Sequence, residues 1–557
     1  MIKCIKGYGD TMDNKFTLTD NFIFDYVDED LKAGKVKDNV VCTRVPPEPN
    51  GYLHLGHVKS VCINFGTAMK YDGNCFLYFD DTNPVKEKEE FVQSIQEDIA
   101  WLGFTPFKTY FASDHYEDLY NIAVKLIKEG KAFVCNLSQE EVKEYRGTLT
   151  TPGKESPYRN RSIEENLDLF TRMKNGEFPE GYCTLRAKID MASPILCMRD
   201  PVIYRIMYVS HHRTGDKWCI YPMYDFASPL LDALEGVTHS LCGPEFEERR
   251  PLYNWSVEQS GLFPNPPRQI EFAKINVSDV ILGKRYLKKL VETGVVAGWD
   301  DPRMPTIAGM RRRGYPADAL KSFINLTGVS KAQSEVDFAL LEHCVREDLQ
   351  ANCDCKMAVT NPVKLIIDNY EGEEELPVPN SPREGAEVRM VKFTKELYID
   401  ADDFCIDPPP KYFRFYPGAE VRLNRAYIVK CTGYEETEEG IVVHAEYDPD
   451  TKSGGNSTKK VKGNVHWVSA KYAKPAIIRL YEKLVDDSLE GSIEDKLNPN
   501  SLVERKGFVE PSLAEVNVGE RYQFMRVGYF IKDKDSTTDL PVYNRIIGLK
   551  DKFNAKK

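Results

Sequence analysis

No run in the 557-residue chain approaches the ~18 consecutive apolar residues that a membrane-spanning helix needs, so the pattern excludes a helical membrane protein. The first residues, MIKCIKGYGDTMDNKF, carry neither an apolar core nor a small-residue cleavage site, and we expect a cytosolic protein that is not exported. Positive charge is also in short supply, with 74 Lys and Arg against 86 Asp and Glu and a formal net charge of −12. That balance excludes a generally basic protein that coats nucleic acid; any polyanion must be met on local basic faces. The 14 cysteines are scattered without a dense framework or a paired C-x-x-C, which reads as reduced thiols. The tightest group, Cys344, Cys353 and Cys355, contains only a C-x-C, and no structural metal is expected there.

At roughly 100–200 residues per domain the length corresponds to about three to five domains. A composition of 42% hydrophobic and 29% charged residues is that of a folded chain. DNFIFDYVDEDLKAGKV has helical spacing closed by a glycine. A β-branched run from Val40 to Val45 ends at the loop PPEPNG, and Leu53 to Met69 then reads as a helix. A second strand, NCFLYFDD, and a charged helix follow, giving the β-α-β-α alternation of a doubly wound parallel sheet. From about residue 113 the pattern loosens into what reads as an insertion, and the alternation resumes at KWCIYPMYDFASPLLDALEGVTHSL. Residues 273 to 350 are mostly helical by spacing. Beyond residue 356, short alternating runs such as EVRLNRAYIVK and GIVVHAEYD indicate a β-rich third of barrels or sandwiches.

The richest segment chemically is RVPPEPNGYLHLGHVKS, Arg44 to Ser60. A strand, a proline-stiffened loop and a helix start place backbone N–H groups and the positive end of a helix where phosphates can sit. His54 and His57 are three apart, hence on one face of the first turn, and both can donate to phosphate oxygens. Gly56 between them removes a side chain where a flat base could approach. By spacing alone, two such histidines are more often structural or surface residues.

This stretch resembles the HIGH signature of class I aminoacyl-tRNA synthetases, and PPEPNGYLHLGH resembles their glutamine and glutamate subgroup. Further similar segments run in order, among them YFDDTNPVKEKEEFV, TLRAKIDMASP, MRDPVIYRI, KWCIYPMYDF, DALEGVTHSLC, GWDDPRMPTIAGMRRRGY and VKGNVHWVSA. They cover nearly everything from residue 22 onward, and THSLC, HWVSA and RLY look more like the glutamine branch. The resemblance implies an α/β fold with a doubly wound, Rossmann-type catalytic domain (22–114 and 224–272) and an inserted domain for the tRNA acceptor end (115–223). It also implies a helical subdomain (273–352) and two β-barrel anticodon-binding domains (353–557).

The implied reaction joins L-glutamine to tRNA-Gln through an aminoacyl adenylate, with ATP and its Mg²⁺ as substrate complex, in a monomer without a membrane. The same activity on glutamate and a non-catalytic tRNA-binding role are the alternatives. A carboxylate needs no base to attack phosphorus, so catalysis is positioning and stabilisation of charge. By resemblance His54, His57 and Lys284 are catalytic. Glu48, Pro49, Asn50, the segment His54, Leu55, Gly56, His57, Val58, Lys59 and Ser60, together with Gly243, Lys274, Ile275, Leu282, Gly283 and Lys284, hold ATP. VILGKRYLKKL stands for the mobile second signature, with Leu282 and Gly283 where Met and Ser are usual. Arg44, Asp80 and Tyr224 line the amino-acid pocket, Asp80 accepting from the α-ammonium and Tyr224 facing the side-chain amide. Tyr78, Ser228 and Pro229 depart from the subgroup's usual residues. For tRNA the resemblance points to Arg311, Arg312, Arg313, Lys411, Arg414 and Gln523, with Asn424 where an Arg is usual and Lys459–Lys462 as a second basic cluster.

Overall fold

The computed structural model describes residues 16–550 apart from 86, 439, 487, 488 and 493; the patternless stretch before residue 16 lies outside them. Two compact units divide the described chain, one up to Asn276 together with Lys321–Val336, the other Val277–Leu320 together with everything from Asp337.

In the first unit Asn21 caps helix α1 (Phe22–Lys32) by accepting from the Ile23 N–H at 3.0 Å. Its apolar stripe, Ile23, Phe24 and Val27, is buried against Val41, Ile63, Leu241 and Phe272. Strands β1 (Cys42–Val45), β2 (Asn74–Phe79) and β3 (Lys108–Phe111) pair in parallel and alternate with α2 (Leu55–Lys70) and α3 (Glu89–Trp101). Helices on the sheet explain why β1 and β2 are near-continuous buried runs without polar alternation. At Gly73 a Cβ would stand 2.0 Å from the Val41 carbonyl oxygen, so only glycine lets the chain enter β2 there.

The chain then leaves the sheet through α4 (Tyr116–Lys128). It forms an antiparallel four-stranded sheet of β4 (Ala132–Cys135), β5 (Thr184–Ala187), β6 (Val202–Ile206) and β7 (Ile220–Pro222), with α5 (Gln139–Arg146) and α6 (Ile163–Lys174) between β4 and β5. It returns through α7 (Tyr224–Leu234), β8 (His239–Cys242), α8 (Arg250–Ser260) and β9 (Arg268–Glu271), β8 and β9 being parallel. Thr238, at the entry to β8, donates from its N–H to the Cys42 carbonyl at 2.9 Å and accepts from the Cys42 N–H at 2.8 Å through Oγ1. The spatial order is therefore β3-β2-β1-β8-β9, and it reverses between β1 and β8. In open α/β sheets ligands bind beyond the carboxyl ends of the strands at such a reversal.

The second unit opens with helices Lys284–Glu292 and Ile307–Arg313, and Phe338–Asn352 follows later. Thr306 caps Ile307–Arg313, and Gly314 ends it at φ +103°, where a Cβ would run into Ile546. Two curled sheets of seven strands each follow, with a two-stranded ribbon of Glu373–Pro379 and Val388–Thr394. One closes on a core that includes Phe393, Phe415 and Trp467, the other on Phe524, Phe530 and Tyr543. The β-rich texture read beyond residue 356 is thus present, built from alternating runs such as Lys474–Tyr481. No helix among the described residues is long and apolar enough to cross a membrane.

Candidate functional site

The end of β1 and the start of α2 lie at the strand reversal. His54 is the N-cap of α2: its Nδ1 accepts from the Gly56 N–H at 3.1 Å, while His57 Nδ1 accepts from the His54 N–H at 3.0 Å. This is a capping box built from two imidazoles, whose centroids are 3.9 Å apart. With both Nδ1 atoms accepting, each neutral ring carries its proton on Nε2 and is a hydrogen-bond donor there. The two side chains are half-buried, as are Gly56 and Ser60. Leu55 and Val58, by contrast, are core residues at 1% and 0% exposure. Lys59 is buried too, and burial pulls its pKa down. In the preceding loop Pro49 is buried, and Asn50 Oδ1 is buried with no hydrogen-bond partner among the described residues. Such an orphaned acceptor is what a ligand donor would complete.

A second set of groups adjoins the loop. The Asp80 N–H donates to the Pro47 carbonyl at 3.2 Å, which ties the end of β2 to the loop that carries Glu48. Asp80 is 7% exposed, and burial pushes its carboxyl up to about 7 against the hydrogen bond from Thr82 Oγ1 at 2.9 Å. The charges of Asp81 and Glu48 push the same way. Burial raises the Tyr224 phenol, and the charge of Asp80 pushes the same way. Arg44 and Tyr224 line one cavity together with Ser228, Pro229, Cys242 and Tyr253. The sequence-predicted amino-acid residues are thus brought together, and Ser228 and Pro229, which depart from the subgroup's pattern, fall in the same pocket. The third departure, Tyr78, is fully buried and stacks on Tyr110 at 5.1 Å.

Arg44 does not stand alone. Its Nε donates to Asp232 Oδ1 at 2.9 Å and its Nη1 to the Leu241 carbonyl at 3.0 Å, while Asp232 Oδ2 accepts from the Tyr253 hydroxyl at 2.9 Å. Burial works against the guanidinium's charge, and Asp232 more than restores it. Sequence reading missed Asp232. The available signal was the spacing of Tyr224, Ser228 and Asp232, four apart on one face of an otherwise apolar helix.

A second missed cluster joins the β2 loop to the inserted sheet: Asp81, Glu87, His211 and His212, with His212 Nε2 3.3 Å from Asp81 Oδ2 and His211 Nε2 3.5 Å from Glu87 Oε2. Asp81, His211 and His212 are close enough to suit a metal ion. The hydrogen bonds argue otherwise for His211. Its Nδ1 accepts from the N–H groups of Arg213 and Thr214, so Nε2 holds the proton and donates to the Asp81 carbonyl at 2.8 Å. Glu87 is the strained member, since burial, with the charge of Asp81, raises its carboxyl to about 9.

The remaining predicted residues are distributed as follows. Gly243 precedes the turn at Pro244, Ile275 is buried in a short strand, and Lys274 Nζ lies 2.8 Å from Glu245. Lys284 is the first residue of its helix, with Gly283 as N-cap and Leu282 before it. A lysine and Arg285 at the positive end of a helix add like charge to like, an arrangement suited to an anion. Arg312 pairs with Asp300, Asp533 and Asp535, and Arg313 donates to the carbonyls of Tyr481 and Ile546. These two brace the second unit rather than forming an open basic patch with Arg311. Lys411 is exposed at φ +67°, Arg414 pairs with Asp403 at 3.0 Å, and Gln523 Oε1 accepts from the Cys355 thiol at 2.9 Å. Lys459 pairs with Glu420 and Asp448, and the Asn424 carbonyl accepts from the Trp467 indole. None of the described cysteines forms a disulfide.

Residues 40–351 match the family model of the catalytic domain of class I tRNA synthetases (E and Q). Residues 356–449 and 464–533 match the two models of that family's anticodon-binding domains. A glutamine–tRNA ligase of Clostridium perfringens is 53% identical, covering 96% of this chain and 99% of that one. One of Clostridioides difficile is also 53% identical over 97% and 99%, and one of Bradyrhizobium diazoefficiens is 52% identical over 96% and 97%. Among solved structures, a glutamate–tRNA ligase of Elizabethkingia meningosepticum has a TM-score of 0.42 at 17% identity, covering 56% of this chain and 70% of that one.

Proposed function

The chain belongs to the class I tRNA synthetases of the glutamate and glutamine (E and Q) group, and on that premise we propose that it ligates L-glutamine to tRNA-Gln, converting ATP to AMP and pyrophosphate. The observation that carries this reading is the Asp80–Pro47 hydrogen bond, which holds the amino-acid pocket against the nucleotide loop. An α-ammonium on Asp80 brings the adjoining α-carboxylate to the α-phosphorus of ATP placed at the start of α2.

In the first step a carboxylate oxygen of glutamine bonds to the α-phosphorus, the bond to the β-phosphate bridging oxygen breaks, and pyrophosphate leaves with Mg²⁺. His54 and His57 donate from Nε2 to the phosphate oxygens, where charge builds in the transition state. Lys284, on its helix start, supplies the compact cation that follows the triphosphate. In the second step a ribose hydroxyl of the terminal adenosine attacks the acyl carbon and AMP departs. Arg44 and Tyr224 take the side-chain amide, Tyr224 donating or accepting through its hydroxyl. The antiparallel insertion receives the acceptor end, and Arg311, Lys411, Arg414 and Gln523 meet the tRNA, in a cytoplasmic monomer. ATP–pyrophosphate exchange in the presence of tRNA tests the reading: exchange with glutamine well above that with glutamate is expected, and equal exchange, or none, contradicts it.

A further inference from the structure

Asp403 closes the short turn that follows the strand Glu396–Asp400, and it is 2% exposed. Two guanidiniums share its carboxylate. Arg526 holds both oxygens, Nη2 donating to Oδ1 at 3.1 Å and Nη1 to Oδ2 at 3.0 Å. Arg414 Nη1 lies 3.0 Å from Oδ1 and also donates to the Asp402 carbonyl at 2.9 Å. Arg414 comes from the loop before the strand Glu420–Leu423 of one seven-stranded sheet, and Arg526 from the turn between Arg521–Phe524 and Gly528–Lys532 of the other. That turn places Arg526 at φ +65°, a conformation that L side chains rarely take. His466 is engaged elsewhere: its Nε2 is 2.7 Å from Asp400 Oδ2, while its Nδ1 stands 3.7 Å from Asp403, beyond hydrogen-bond length.

Two arginines on one carboxylate leave a positive charge over, and the excess faces outward. The Arg414 and Arg526 side chains are 43% and 28% exposed. Arg414 Nε and Nη2 and Arg526 Nε make no hydrogen bond among the described residues. Close by in sequence to Arg414, Lys411 is exposed and Phe413 is 50% exposed, with Lys462 Nζ 4.8 Å from the Phe413 ring centroid. Cations beside an exposed ring suit the phosphates and unstacked bases of a single-stranded loop. An unrestrained arginine gives up rotamer freedom to meet such a loop, whereas one already fixed on a buried carboxylate has less to lose.

We propose that Asp403 is a positioning residue for tRNA, fixing Arg414 and Arg526 on one carboxylate as a forked receptor for an acceptor oxygen of the anticodon loop. It acts through the two arginines and is itself shielded from the RNA. The inference rests on the tRNA reading above and goes beyond it by assigning the carboxylate that orients the contact.

The test compares Kd for tRNA-Gln with Kd for the same RNA carrying substituted anticodon bases. Asp403→Asn keeps the side chain's size and one oxygen but loses the charge that holds two guanidiniums. The wild type is expected to prefer the native RNA. The variant is expected to bind that RNA about tenfold more weakly, the loss of one charge-assisted contact, with little change toward the substituted RNA, so the preference falls by the same factor. Arg414→Gln should lower the preference too, and combining it with Asp403→Asn should cost less than the two losses added together. Equal weakening toward both RNAs with the preference intact, or a fully additive double variant, would leave Asp403 as a brace between the sheets and overturns the inference. Should Asp403→Asn not fold, Arg414→Lys/Arg526→Lys is read in its place, since it keeps both charges and loses the fork. Its preference is expected to fall, and an undiminished preference overturns the inference. A wild type that does not distinguish the two RNAs sinks the anticodon-binding reading of these residues and this inference with it. A wild-type preference that Asp403→Asn leaves unmoved sinks this inference alone.

Discussion

Replacing His57 by alanine separates what the imidazole does for the helix from what it does for the reaction. The structural loss is one acceptor, since His57 Nδ1 takes the His54 N–H at 3.0 Å; a lost cap of this kind costs ~1 kcal/mol. Against a domain stability of about 5–15 kcal/mol the protein stays folded at 25 °C. The chemical loss is larger. One preorganised donor to oxygens that gain charge in the transition state is worth roughly 10²–10³ in rate, or ~2.7–4 kcal/mol. Single-turnover adenylate formation with saturating tRNA should therefore slow by about two to three orders of magnitude, while tRNA affinity stays near that of the wild type. His57→Glu supplies the control. Glutamate at the third helical position is the usual capping-box partner, so it should return the lost stability. Its carboxylate cannot donate and repels the triphosphate, so the rate should be no better than that of alanine. An alanine variant within about twofold of wild type, or a glutamate variant faster than alanine, would refute the phosphate-facing assignment.

Three further outcomes are expected. Burial raises the Asp80 carboxyl to about 7, and only its ionised form accepts an ammonium, so kcat/KM for glutamine should climb as pH rises through about 7; a profile flat from pH 5.5 to 8.5 contradicts this. Glu87 is raised from 4.5 to about 9, so between those values the folded protein keeps a proton that the unfolded chain has lost, and stability falls as pH rises. Glu87→Gln removes that loss, and its advantage in thermal melting should widen with pH by up to about 1.4 kcal/mol per unit until about pH 9; a difference independent of pH would exclude the shift. Lys284→Ala should lower kcat more than it raises KM for glutamine, and an unchanged kcat would remove its role on the triphosphate.

The β1–loop–α2 corner was legible because each of its parts is local. A β-branched run, three prolines and histidines three apart write strand, loop and helix start in consecutive residues, and the structure adds only that the imidazoles cap the helix. The insertion was legible as a loosening of the strand and helix pattern, and the β-rich part beyond residue 356 as a change of texture to short alternating runs. What failed to show was pairing across long separations. Asp232 lies 188 residues from Arg44, and nothing near either residue announces the other. Arg312 reads as part of a basic cluster because Asp533 and Asp535 stand more than 200 residues away. Lys284 reads as a loop residue because Gly283 precedes it, yet that glycine is the cap from which a helix with buried Leu287 and Leu290 sets out. Gln523 was placed on an RNA-facing strand, and its side chain is engaged by a thiol on the neighbouring strand.

The central claim, glutamine joined to its tRNA, is tested most directly by aminoacylation of purified tRNA-Gln and tRNA-Glu with labelled glutamine and glutamate side by side. Label from glutamine on tRNA-Gln, with little from glutamate on either tRNA, is the predicted result. Glutamate joined to either tRNA at a comparable rate, or no product from any pair, would contradict it.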